Sequence, residues 1–160
     1  MTPILQDFLA EHGFPADQLS ALDADGRFSP LMRACKLGRL DIVDALLDAG
    51  VDINLRNTDG CNALWLACYH GSHAVIQRLI DAGIAIDNQN GNGATCLMYV
   101  ASNSKPDLVA LLLANGADPL RRNFDDFSAL DLAASLPCLK ALRQATQDQM
   151  RVAPTVSSPR

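Results

Sequence analysis

Residues 29–50 read SPLMRACKLGRLDIVDALLDAG, and this stretch returns at a fixed interval. Ser29-Pro30-Leu31-Met32 aligns with Asn62-Ala63-Leu64-Trp65, then with Thr95-Cys96-Leu97-Met98, then with Ser128-Ala129-Leu130-Asp131. The interval is 33 residues, and Gly50, Gly83 and Gly116 keep it too. A period of that length marks an array whose units bury their apolar faces on one another.

Each column has a physical reason. Ser29, Asn62, Thr95 and Ser128 are N-cap types, able to accept a hydrogen bond from an otherwise unpaired helix N–H. Pro30 follows at the first helical position, where its missing N–H costs nothing. Ala34, Ala67 and Ala133, with Val100 in the third copy, let the first helix approach its neighbours. Gly38 and Gly71 end that helix, and Ser104 takes the matching place. The second helix carries Ile42, Val43, Leu46 and Leu47, then Val75, Ile76, Leu79 and Ile80, then Leu108, Val109, Leu112 and Leu113, the spacing of one buried helical face. Gly50, Gly83 and Gly116 supply a left-handed residue past its end. Asn57-Thr58-Asp59-Gly60 and Asn90-Gly91-Asn92-Gly93 are turn sequences.

These residues resemble the ankyrin-repeat family. Ser29-Pro30-Leu31 and Gly38 match its TPLH-x-A-A-x-x-G pattern. Leu46 to Asn54 matches its LL-x-x-GA-D-x-N close, and Leu112 to Asp118 repeats that close. The resemblance covers about residues 23–145 and implies an all-α ankyrin-repeat solenoid of stacked helix pairs with hairpin-like turns. The histidine usual after the leucine is Met32, Trp65, Met98 and Asp131 here. Lys105-Pro106 replaces a glycine-histidine step, with Pro106 placed to start a helix. The fourth copy is interrupted at Pro137, leaving a short helix over 138–143.

The expected organisation is capping helices over 1–22, repeats over 23–57, 58–90 and 91–123, a truncated capping repeat over 124–145, and a disordered tail over 146–160. Thr2, Pro3 and Gly13 bracket a helix over 3–12 whose face is Ile4, Leu5, Phe8 and Leu9. It covers the open end of the first repeat or docks into a partner, with capping the favoured reading because so short a stripe more often completes its own core. Leu139 and Leu142 face inward at the other end. Pro154, Ser157, Ser158 and Pro159 mark the tail as polar and coreless.

The chain has 160 residues, a formal net charge of −5 and 49% apolar residues, of which aromatics contribute few. It suits one aliphatic-cored domain. The acidic balance disfavours nucleic acid as a partner. No apolar run is long enough for a membrane span, and the start does not read as a secretory signal. Five cysteines with no CxxC pair suit free thiols in a reducing cytoplasm. No nucleophile–base pair, metal set or phosphate loop stands out. His70 and His73 are separated by a helix-breaking glycine, and Gly91-Asn92-Gly93 lacks a following lysine.

A non-catalytic, cofactor-free interaction module follows: an adaptor or regulator, expected as a monomer, binding another protein through the concave face that the resemblance implies. A structural subunit of a larger complex, or a small enzyme with an unrecognised site, are the alternatives. On that face Met32 and Lys36, Trp65 and Tyr69, and Met98 and Ser102 are pairs four residues apart, hence on one side of each first helix. Asp59, His70, Asn92, Asn103 and Phe124 border the stripe. Trp and Tyr are favoured anchors because they bury much area at low entropic cost. Trp65 equally fits a residue packed against its turn. Phe28, Phe124 and Phe127 fit either mutual packing or an exposed edge.

Overall fold

The computed structural model describes residues 1–152. Among them the chain forms α1 (Pro3–Glu11), α2 (Pro30–Lys36), α3 (Leu40–Asp48), α4 (Ala63–His70), α5 (His73–Asp81), α6 (Cys96–Ser102), α7 (Pro106–Ala114), α8 (Ala129–Leu132) and α9 (Leu136–Val152). The described residues are helical apart from turns and one isolated antiparallel bridge, Arg122 to Ser128. Two compact units divide the chain at residues 85 and 86.

In the first unit, α2 packs beside α4, α3 beside α5, and α1 against α3. The Ser29 hydroxyl caps α2 by accepting from Met32 N–H at 3.2 Å, with Pro30 in the first turn. Ile42, Val43 and Leu46 of α3 and Val75, Ile76 and Leu79 of α5 are fully buried. Leu47 and Ile80, expected on the same face, are only half-buried, because they lie at its edge. The helix expected over 3–12 is α1, capped by the Thr2 hydroxyl. Leu5, Phe8 and Leu9 are buried, whereas Ile4 points outward at 46% exposure. Residues 12–22 carry turns rather than a second capping helix. Arg78 of α5 reaches Asp44 of α3 at 2.7 Å.

Asn62 departs from its column. It caps no N–H of α4 with its side chain. Its amide nitrogen instead donates to the Ala85 carbonyl at 3.0 Å, so this fully buried side chain ties the start of one repeat to its end.

In the second unit, α6 packs on α7 and α8, and α9 packs on α7 and α8. Thr95 caps α6 through Met98 N–H, and Leu108, Val109 and Leu112 form the buried row of α7. Pro106 opens α7 as the sequence suggests. Ser104 sits at φ 55, the left-handed region that Gly38 and Gly71 occupy at the same register. Such a conformation costs a residue with a Cβ about 1–2 kcal/mol. Ser104→Gly should therefore stabilise the protein by up to about 1 kcal/mol after the added chain entropy of glycine is subtracted. Urea unfolding checks this: an unchanged or lower midpoint contradicts it.

The fourth copy keeps one helical turn. α8 is closed by a capping box in which Ser128 and Asp131 bond each other's backbone N–H, at 3.3 and 2.9 Å. This is why an aspartate fits where the other copies carry Met or Trp. The Ser128 backbone N–H, then its hydroxyl and the nearby Arg122, hold the Asp131 carboxyl below its usual value near 3.8. A depressed carboxyl stabilises the fold above that value, and the contribution is lost as pH falls through the folded one. Acidification from about pH 7 to about pH 3 should lower the unfolding midpoint more in the wild type than in Asp131→Ala. Equal losses would remove Asp131 from the account.

Beyond α8 the structure corrects the expected ending. Pro137 lies in the first turn of α9 and does not break it. The helix runs on to Val152 instead of stopping near residue 143, with Cys138 and Leu142 buried. The expected disordered tail therefore does not begin at 146, and residues 153–160 lie outside the described part.

The turns repeat as strictly as the helices. The Asn57 side-chain oxygen accepts from Asp59 and Cys61 N–H, both at 3.0 Å. Asn90 holds Asn92 and Ala94 in the same way, and Asn123 holds Asp125 and Phe127. In the first copy the Asp23 carboxylate accepts from Arg27 and Phe28 N–H across a loop one residue longer. Each unit also carries one link between successive copies, where the side chain that ends one repeat holds an amide 31 residues on. Asn54 accepts from Ala85 N–H, and Asp87 from Asp118 N–H, both at 2.9 Å.

Candidate functional site

In the first unit, α2 and α4 bring Lys36, Tyr69 and His70 together. Tyr69 is 58% exposed, and the Lys36 ammonium lies 5.8 Å from its ring centroid. The same ammonium lies 4.9 Å from the ring of Phe28, which is buried just ahead of the α2 cap. The Arg33 guanidinium covers that ring at 4.0 Å, and Arg27 approaches it at 5.8 Å. Each cation–π contact is worth about 0.5–1 kcal/mol at an exposed site. The His70 Nδ1 lies 3.2 Å from the Lys36 carbonyl, so that nitrogen carries the proton and donates. The opposite edge of the imidazole fills the space over Gly38, where a Cβ would collide with it.

Met32 and Met98 do not line this surface. They are 1% and 2% exposed. A helical side chain leans toward the helix start. Each Met follows its cap by three residues and so lies over the buried Ser29 or Thr95. Trp65, at the same register, is half-buried. Asp59 is exposed at its turn tip, with its backbone N–H held by Asn57.

In the second unit Ser102 and Asn103 are exposed, but both donate to the Tyr99 carbonyl, at 3.0 and 2.9 Å. At the C-terminus of α6 they join the Asn103 backbone N–H, which donates to the same carbonyl at 3.1 Å. The Lys105 ammonium lies 5.4 Å from the Tyr99 ring. Asn92 is exposed, and its carbonyl accepts from Phe124 N–H at 3.0 Å. Phe124 and Phe127 are 74% and 48% exposed, which makes them an edge and not a packed pair.

Sequence reasoning missed Phe28, Arg27 and Arg33 as parts of the site. The available signal was charge. Residues 26–40 and 60–80 contain no Asp or Glu, although the chain has 18.

All five cysteines are free thiols. Cys35 and Cys68 are buried, and burial, then the neighbouring Cys68, pushes the Cys35 thiol far above its usual range. The thiolate is thus withheld and the group is inert as a nucleophile. Among the described residues no three His, Cys, Asp or Glu are placed to hold a metal ion. No helix among them is long and apolar enough to cross a membrane. The cleft along Ala16–Ala21 and Ala49–Val51 offers Asp17, Gln18 and Ser20 as its polar side chains.

The family model described as ankyrin repeats (3 copies) matches residues 31–123 and again 64–151. Among solved structures, the chain is similar to the ankyrin repeat domain of Bcl-3, described as a unique member of the IkappaB protein family. The identity is 27% and the TM-score 0.74 over 78% of this chain. The match covers 55% of that chain, so this protein spans about half its length. No curated protein matches.

Proposed function

The chain belongs to the ankyrin-repeat family, and from that premise we propose that it is a non-catalytic adaptor or regulator that binds its partner through the exposed side of α2 and α4, helices that the family resemblance assigns to its concave face. Ankyrin repeats are in general protein–protein interaction modules. The observation that carries the finer reading is Tyr69, a 58% exposed aromatic side chain set beside Lys36 and His70 on helices whose other large apolar side chains are mostly covered. A preformed aromatic anchor on rigid helices lowers the ordering cost of binding. Asp59 and half-buried Trp65 border this face; Asn92, Ser102, Asn103 and Phe124 make a candidate surface of their own in the second unit. The free thiols support a cytoplasmic setting, and the net charge supports a protein partner over nucleic acid.

Tyr69→Ala should weaken partner binding by about 2 kcal/mol. Capture of partners from cell extract by the wild type and the variant, followed by titration of the captured protein, measures this. Unchanged affinity with an unchanged melting curve would sink the reading.

Phe124 and Phe127 favour a second reading, a structural subunit that seats this turn in a larger complex. Phe124→Ser should then abolish co-sedimentation with the assembly while Tyr69→Ala leaves it intact.

A further inference from the structure

We infer that the face of α2 and α4 takes an acidic peptide segment of its partner, its Asp and Glu carboxylates meeting Lys36 and the exposed edge of the Arg33 guanidinium while an apolar side chain packs on Tyr69. The inference rests on the proposed binding face and adds the chemistry of what binds there.

Three observations carry it. The first is the distribution of charge. A chain of net charge −5 keeps every carboxylate out of residues 26–40 and 60–80, the segments that contain α2 and α4. Asp23, Asp25 and Asp59 stop at the turns, and Asp41, Asp44, Asp48 and Asp81 lie on α3 and α5. α4 thus carries no carboxylate, and α2 with the loop before it carries Arg27, Arg33 and Lys36, a cationic patch inside an acidic protein whose field draws negative segments and repels positive ones.

The second is how the cations are held. Arg39 is neutralised by Asp41 at 2.9 Å, and Arg78 by Asp44. Arg27, Arg33 and Lys36 form no ion pair among the described residues, and the Arg33 Nε is buried without an acceptor. They rest on the faces of Phe28 and Tyr69 instead. A ring face positions a cation without using up its N–H donors, so the Lys36 ammonium is fixed in place with its charge still available.

The third is the anchor. Tyr69 stands at the end of this cation–aromatic row and exposes more than half of its surface. A peptide that alternates acidic and apolar side chains matches both features. The Arg33 guanidinium stacks on Phe28 with its Nε buried, which leaves Lys36 as the principal cation.

The test uses the full chain and three fluorescein-labelled peptides of equal length: alternating Glu and Leu, alternating Lys and Leu, and the first peptide with phosphoserine in place of Glu. Fluorescence polarisation should show the Glu peptide binding, with affinity falling as salt rises from low ionic strength to about 0.15 M. Lys36→Met keeps the stem packed on Phe28 but removes the charge, and should weaken binding about tenfold, as should Tyr69→Ala. Arg143→Glu on α9 should leave it unchanged. Amide shifts in NMR spectra should centre on residues 33–37 and 66–70. Equal binding of the Lys peptide, loss confined to the Arg143 variant, shifts centred elsewhere, or binding of the phosphoserine peptide alone would each overturn the inference. If the Glu peptide fails while Tyr69→Ala still loses the natural partner, the chemistry assigned here is wrong and the binding face stands. If neither is affected by Tyr69, the binding face falls as well.

Discussion

Gly93→Ala should destabilise the protein by about 3–4 kcal/mol, and a companion substitution should not restore it. Gly93 closes the 90–94 turn at φ 76, a conformation that costs any residue with a Cβ about 1–2 kcal/mol. A Cβ there would also stand 2.5 Å from the Phe124 ring and 2.8 Å from the Phe124 backbone nitrogen. The ring can swing into solvent, but the nitrogen is fixed by its bond to the Asn92 carbonyl. Relieving the collision means breaking that bond and shifting the turn, for roughly another 1–3 kcal/mol. Gly38→Ala makes a controlled contrast. Its φ is 68, but the obstacle there is only the His70 imidazole. In denaturant unfolding, His70→Ala should recover about 1 kcal/mol in the Gly38→Ala background, while Phe124→Ala recovers little in the Gly93→Ala background. Equal rescue at both sites would show that the backbone contact at Gly93 carries no cost.

Asn57→Ala should cost about 2–4 kcal/mol, more than Asn123→Ala. The two residues hold their own turns identically, each accepting two backbone N–H groups. Asn57 alone of the pair also donates its amide to a previous turn, at the Arg27 carbonyl, 3.0 Å away. Each lost bond removes about 0.5–1.5 kcal/mol, and a half-buried group left unpaired adds to that. Asn57→Asp separates the contributions: it keeps both acceptor bonds and loses only the donation to Arg27. Its loss should be about a third of that of the alanine variant. Were Asn57→Ala and Asn123→Ala equal in melting temperature and midpoint, the link to Arg27 would contribute nothing.

The fold was legible because its period is written in residues with one job each. Ser29, Thr95 and Ser128 cap, Leu31, Leu64 and Leu97 are buried, and Gly50 turns at positive φ, as their column predicts. The failures came where one residue type serves two purposes. Asn62 looks like a cap but spends its amide on Ala85, and Pro137 looks like a breaker but opens α9. The site was legible in part. Spacing placed Lys36 and Tyr69 correctly on adjoining helices, but it put Met32 and Met98 on the surface, because a four-residue interval says which side residues share and not how deep each lies. Phe28 belongs to a turn, so no helical period could point to it.

The Asn54 and Asp87 links set a rule for how such a chain can change length. Each hands an acceptor to an amide 31 residues downstream, Ala85 and Asp118. Excising 33 residues, from 55 through 87, leaves Asn54 facing the amide of Asp118 in place of Ala85, with every later donor and acceptor still matched. Excising one residue more or fewer leaves that amide out of step with its acceptor and shifts every apolar column past its neighbour. Whole repeats can therefore be gained or lost with these links intact, whereas a one-residue change between an acceptor and its amide breaks the match; the extra residue of the Asp23 loop lies ahead of the first such link.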